Sequence, residues 1–97
     1  MIDATTKIHR NPRAVFRRLA EGSGGVLLHL DSTQYHGVNE VGAAIWELTE
    51  EDITFGDLVA GLRERLDDPP ADLEGDVASF LDDLGGRGLV DLQPVGA

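Results

Sequence analysis

Cysteine is absent from these 97 residues. That excludes disulfides, thiolate metal sites and a cysteine nucleophile. There is no run of about 18 apolar residues, the length that a membrane-spanning helix needs. The opening segment, Met1 to Arg10, is polar where a secretory signal would be basic and then apolar. Basic residues are scarce: eight Lys and Arg stand against 18 Asp and Glu, for a net charge of −10. An acidic body repels phosphate backbones, which counts against nucleic-acid binding. Catalytic groups are equally thin. Ser23 and Ser32 fall in turn-like sequence and Ser79 in a helical pattern, none of them in a Gly-x-Ser-x-Gly elbow. His29 and His36 read as cross-strand neighbours in a hairpin, but no third metal ligand follows at a recognisable spacing. The adjacent carboxylates Asp82-Asp83 and Glu50-Glu51-Asp52 would point about 100° apart on a helix, so spacing alone makes no acid–base pair. Gly22 to Gly25 lacks the Lys-Ser/Thr of a phosphate loop and leads into a strand, not a helix. The expectation is a cytoplasmic, non-catalytic protein with no cofactor and no metal, and with neither nucleic acid nor membrane as a partner.

What is present fits one small domain. The apolar fraction is 41%, ordinary for a globular chain and too high for a disordered one. Charge is unevenly placed. Residues 1–20 hold Lys7, Arg10, Arg13, Arg17 and Arg18 against Asp3 alone, whereas residues 21–97 hold three basic and 17 acidic residues. The pattern predicts a basic, loosely fixed arm over residues 1–13, a domain over 14–92 and a frayed tail over 93–97. Within the arm Lys7 to Arg10 has the content of a short strand, cut off by the Asn11-Pro12 turn. Ala14 to Ala20 reads as a first strand and Glu21 to Gly25 as a turn. Gly25 to Leu30 is the clearest strand, with Val26, Leu28 and Leu30 on one face and Leu27 and His29 on the other. Asp31 to Thr33 reverses the chain into a third strand, Gln34 to Val38, short enough to lie at an edge.

Helical periodicity takes over after Asn39, a good cap residue. Val41, Ala44, Ile45 and Leu48 recur as i, i+3, i+4, i+7, and Trp46 falls off that stripe. Thr54 and Asp57 resemble a capping box, flanked by Ile53 and Leu58 in the manner of a hydrophobic staple. The second stripe is Phe55, Leu58, Val59, Leu62 and Leu66, closed by Pro69-Pro70. Asp72 caps a third, carrying Leu73, Val77, Phe80, Leu81 and Leu84, with Gly85, Gly86 and Gly88 available to end it. Leu89 to Leu92 offers a further pairing segment. The predicted fold is α+β, of winged-helix type: a three-stranded antiparallel sheet followed by three helices.

The ordered combination Val26-Leu27-Leu28, Tyr35-His36-Gly37-Val38-Asn39, Gly42 to Ile45-Trp46, Thr54 to Leu58, Asp76-Val77, Phe80-Leu81 and Leu84 to Val90 resembles the PqqD-like family. These are leader-peptide recognition elements of pathways that modify ribosomally made peptides. The resemblance covers roughly residues 14–92. Its wording from Tyr35 to Trp46 is similar to discrete leader-binding proteins of lasso-peptide biosynthesis, and it suggests a free-standing member. Two positions depart from the family: Thr33 stands where a glycine is common, and His29 where an acidic residue is frequent.

The resemblance implies a binding function. A leader peptide would be captured as an added antiparallel strand on Gln34, Tyr35, His36, Gly37 and Val38, beside the last helix. Asp76, Val77, Phe80, Leu81 and Leu84 are the candidate groove residues on that helix, and Asp83 and Arg87 lie further along its flank. The implied partners are the precursor leader, a papain-like leader peptidase and an ATP-dependent cyclase. Two alternatives stand beside this reading. One is the same leader-binding role in another pathway, for example with a radical enzyme. The other is a winged-helix DNA-binding regulator, which the net charge and a last helix without Lys or Arg before Arg87 disfavour.

Overall fold

The computed structural model describes residues 2–19, 24–66 and 68–93. Nine elements follow in order: β1 (Lys7–Arg10), β2 (Ala14–Arg18), β3 (Gly25–His29), β4 (Gln34–Val38), α1 (Glu40–Leu48), β5 (Ile53–Thr54), α2 (Phe55–Arg65), α3 (Leu73–Gly86) and β6 (Val90–Gln93). They make an α+β, winged-helix-like fold in which the expected sheet, in the order β2-β3-β4, is antiparallel throughout.

The sheet's register follows from the alternation of its strands. Phe16, Leu27 and His36 form one cross-strand row, and Leu27 is fully buried. Val15, Leu28 and Tyr35 form the adjacent row on the opposite face, where Val15 and Tyr35 are exposed. His29 pairs with Gln34 and His36 with Leu27, so the two histidines are diagonal rather than directly opposed.

A second sheet, in the order β5-β1-β6, has Lys7–Arg10 as its middle strand. This segment lies in the stretch read from sequence as a loose arm. Ile8 is its single apolar residue, yet it is fully buried, facing Ile53 on one side and Leu92 on the other. Arg10 reaches the core boundary. Its guanidinium lies 4.5 Å from the ring centroid of Trp46 and donates to the Trp46 carbonyl and, at 3.2 Å, to Thr49 Oγ1. Trp46, off the stripe of its own helix, is buried against this strand. Burial pushes the Arg10 pKa down, and Glu50 partly offsets the shift. Of the expected tail, Gln93 ends β6, while residues 94–97 lie outside the described residues. The same holds for Ala20 and for Glu21 to Ser23 of the expected turn.

Each helix begins as its cap residue dictates. Asn39 accepts from the Gly42 amide at 2.9 Å, Thr54 from that of Asp57 at 3.3 Å and Asp72 from that of Gly75 at 3.2 Å. Gly88, at φ +76°, closes α3. The Leu89 amide donates to the Leu84 carbonyl, and the Gly88 amide donates to that of Gly85. This is the paired pattern of a Schellman motif, and it lets Leu89 turn back into the core. One core joins Ile8, Leu27, Ile45, Trp46, the buried stripes of α2 and α3, and Leu89.

Candidate functional site

Gln34–Val38 constitutes the whole of β4, and among the described residues β4 pairs with β3 alone. The sheet therefore has two edges. β2, at one of them, ends in Arg17 and Arg18, charges of the kind that discourage strand addition. β4, at the other, contains no Asp, Glu, Lys or Arg. It is the edge better suited to accept another strand through its outward amides and carbonyls.

The two faces of β4 lead to different places. Gln34, His36 and Val38 share the face of Leu27, towards the core. Val38 packs against the core and closes on α1. A Cβ built on Gly42 would lie 2.9 Å from Val38 Cβ and 3.1 Å from Phe80 Cζ, so strand, α1 and α3 converge over this glycine. Next to the convergence is a cleft of about 250 Å³, walled by Val41, Gly42, Ile45, Asp76, Val77 and Phe80, together with Asn39 and Pro70. Its walls are largely apolar, with one carboxylate at Asp76. Such a cleft suits an apolar side chain, and its carboxylate suits a neighbouring donor or cation.

Of the α3 residues proposed from sequence, Asp76 and Phe80 wall this cleft, and Val77, itself fully buried and part of the core, lies beneath them. Leu81 and Leu84 do not reach it. They are 0% and 2% exposed and belong to the core beneath the helix. Helical spacing places Val77, Phe80, Leu81 and Leu84 on one stripe, and only the position of β4 and α1 separates its covered centre from Phe80 at its open edge. Asp83 and Arg87 pair with each other at 3.1 Å. Tyr35 projects from the opposite face of the sheet, 71% exposed, and so does not wall the α3 cleft. It lines a second hollow of about 410 Å³ with Val15, Arg17, Val26 and Leu28.

Val41, Gly42, Ile45 and Pro70 were missed as cleft residues. Gly42 carried a signal: a glycine inside a helix costs about 1 kcal/mol against alanine, so it implies close approach by something else. Among the described residues no group of three His, Asp or Glu gathers as a metal site, and no helix is long and apolar enough to cross a membrane.

The arrangement has counterparts among solved structures. One, "TbiB1 in Complex with the TbiA(beta) Leader Peptide", aligns with a TM-score of 0.72 at 26% identity, covering 86% of this chain and 94% of the other. Another, "Lasso peptide synthetase B1 complexed with the leader peptide", aligns with a TM-score of 0.66 at 22% identity over 87% and 96% of the two chains, and supports the fold. No curated protein sequence matches. The family model described as Coenzyme PQQ synthesis protein D (PqqD) matches residues 24–90, well over half of the sequence. The chain belongs to the PqqD family.

Proposed function

We propose that this protein is a non-catalytic, cytoplasmic recognition element in the biosynthesis of a lasso peptide. It binds the leader of a ribosomal precursor as an antiparallel strand on β4, beside α3, and presents it to a leader peptidase and then to a cyclase. The observation that carries this reading is the juxtaposition of an uncharged, one-sided edge strand with an apolar cleft on α3. The similarity to the TbiB1 complex, whose partner is a leader peptide, supports it.

Both parts of the site are required. Four or five net hydrogen bonds at about 0.5–1.5 kcal/mol each supply roughly 2–7 kcal/mol. A micromolar complex needs about 8 kcal/mol after the peptide has been ordered. Apolar side chains buried in the cleft, at about 1.5–3 kcal/mol each, supply the remainder.

The test is calorimetric titration with a synthetic leader peptide of a lasso-peptide precursor. Micromolar or tighter binding is expected. Phe80→Ala should weaken it by about tenfold or more, and the amides of β4 should gain exchange protection on binding. A folded protein that binds no leader, or that binds one without any change at β4, would overturn the proposal.

A further inference from the structure

Gly37 sits in the middle of the edge strand with no conformational reason to be glycine. It is not among the residues of positive φ. A Cβ built there meets nothing within 4 Å. Any strand-forming residue would fit, and most would stabilise the strand, because glycine is a poor strand residue. Elsewhere in the same sheet a glycine has a visible reason. A Cβ on Gly25 would lie 2.4 Å from the Phe16 ring, which fills the space above it from the neighbouring strand. An aromatic ring laid across a strand glycine is a recognised way of covering it. Gly37 is the same device on the opposite face with the ring missing.

The hollow on that face explains where the ring would go. Gly37 faces Val26, which faces Arg17, and the adjacent row is Tyr35, Leu28 and Val15. Those five neighbours of Gly37 line the hollow of about 410 Å³, so the missing side chain leaves it open at the β4 edge. The lining has an apolar floor, no carboxylate, and one guanidinium that makes no ion pair among the described residues. A guanidinium beside an apolar floor favours the face of an aromatic ring. A strand added at the usual spacing of about 4.8 Å places one residue directly opposite Gly37, with its side chain on this face.

We infer that the hollow beside Tyr35 is a second specificity pocket, which takes an aromatic side chain of the bound peptide across Gly37. The inference rests on the strand-addition reading above and deepens it. The peptide is read on both faces at once: residues of one parity enter the α3 cleft, and an aromatic residue of the other parity crosses Gly37 to lie between Tyr35 and Arg17.

The experiment uses the same synthetic leader, each residue replaced in turn by alanine, against the wild-type chain, Gly37→Val and Phe80→Ala. Gly37→Val should fold at least as stably as wild type, by urea titration of Trp46 fluorescence, and should bind the leader at least tenfold more weakly. One aromatic leader residue should be costly to truncate against wild type and nearly free to truncate against Gly37→Val. If Gly37→Val binds like wild type, or if no aromatic residue shows that dependence, the inference fails; a simultaneous loss with Phe80→Ala would leave the β4 reading standing. If wild type binds no leader, both fall together.

Discussion

At the scale of single residues, two positions carry backbone or packing costs that can be tested. Thr33 occupies the left-handed region at φ 55°, in the turn between β3 and β4. A β-branched residue there costs about 1–2 kcal/mol, while glycine would lose about 0.4–1 kcal/mol to the greater entropy of the unfolded chain. Thr33→Gly should therefore stabilise the protein by about 0.5–1 kcal/mol in urea denaturation. Gly42 is the reverse case. Alanine would gain about 1 kcal/mol of helix propensity, but its Cβ would press on Val38 Cβ, which is fixed to the backbone of β4. Overpacking of this kind costs about 1–3 kcal/mol. Gly42→Ala should be neutral to destabilising by up to about 2 kcal/mol, and it should weaken leader binding by displacing Phe80 from the cleft wall. Binding equal to wild type would show that the convergence of β4, α1 and α3 at Gly42 does not shape the site.

At the scale of elements, local signals account for what could be read before the structure. The hairpin of β3 and β4 announced itself by period and turn chemistry, and the three helices by caps that all form. The five residues of β4 were bounded as they occur, and the parity rule removes Tyr35 from the core. β1 was the harder case. Its strand content was legible over Lys7 to Arg10, but with Ile8 as its only apolar residue its place as the middle strand of a second sheet comes from pairing with β5 and β6, about 45 and 80 residues downstream, which no local pattern encodes. The groove was harder still. Phe80, Leu81 and Leu84 share a helical stripe, and what distinguishes a cleft wall from core is where α1 sits. The end of α3 was legible only in part: three glycines were candidates, and the left-handed one is Gly88. Its environment makes a firm prediction. A Cβ there would be strained at φ +76° and would lie 3.3 Å from His29 Nε2. Gly88→Ala should cost at least about 1–2 kcal/mol, whereas Gly86→Ala, where a Cβ meets nothing within 4 Å, should be neutral or stabilising. Equal effects at the two positions would refute the Schellman closure as the reason for glycine at 88.

At the scale of the whole molecule, part of the basic amino-terminal charge seen in the sequence is paired within the fold: two of its five Lys and Arg, Arg13 and Arg18, meet carboxylates. Arg13 meets Asp31 at 3.0 Å, and Arg18 meets Glu40 at 3.3 Å and also Glu47. Arg65 reaches the other oxygen of Glu47 at 2.7 Å. Glu47, on α1, thus ties β2 to α2 across the body of the protein. Its hydrogen bonds from Arg65 and then Arg18 hold its pKa below the usual glutamate range. The sign of the linkage follows. The unfolded chain binds a proton here more readily than the folded one, so the contribution is complete above the ordinary glutamate pKa. It is lost as pH falls from there through the depressed folded value. The side chains involved are 36–42% exposed, so solvent screens them, and surface pairs of this kind are worth about 0.2–1 kcal/mol each. Glu47→Gln should therefore cost no more than about 1–2 kcal/mol near pH 7. The deficit should shrink as the pH is lowered towards about 3, because wild type then loses the same charge. It should also shrink at about 1 M salt, where the Debye length is only about 3 Å. The single tryptophan, buried in α1 close to these pairs, reports unfolding in each condition. A deficit that stayed constant across both titrations would mean that Glu47 acts through packing, not through the charge network that joins the two sides of the fold.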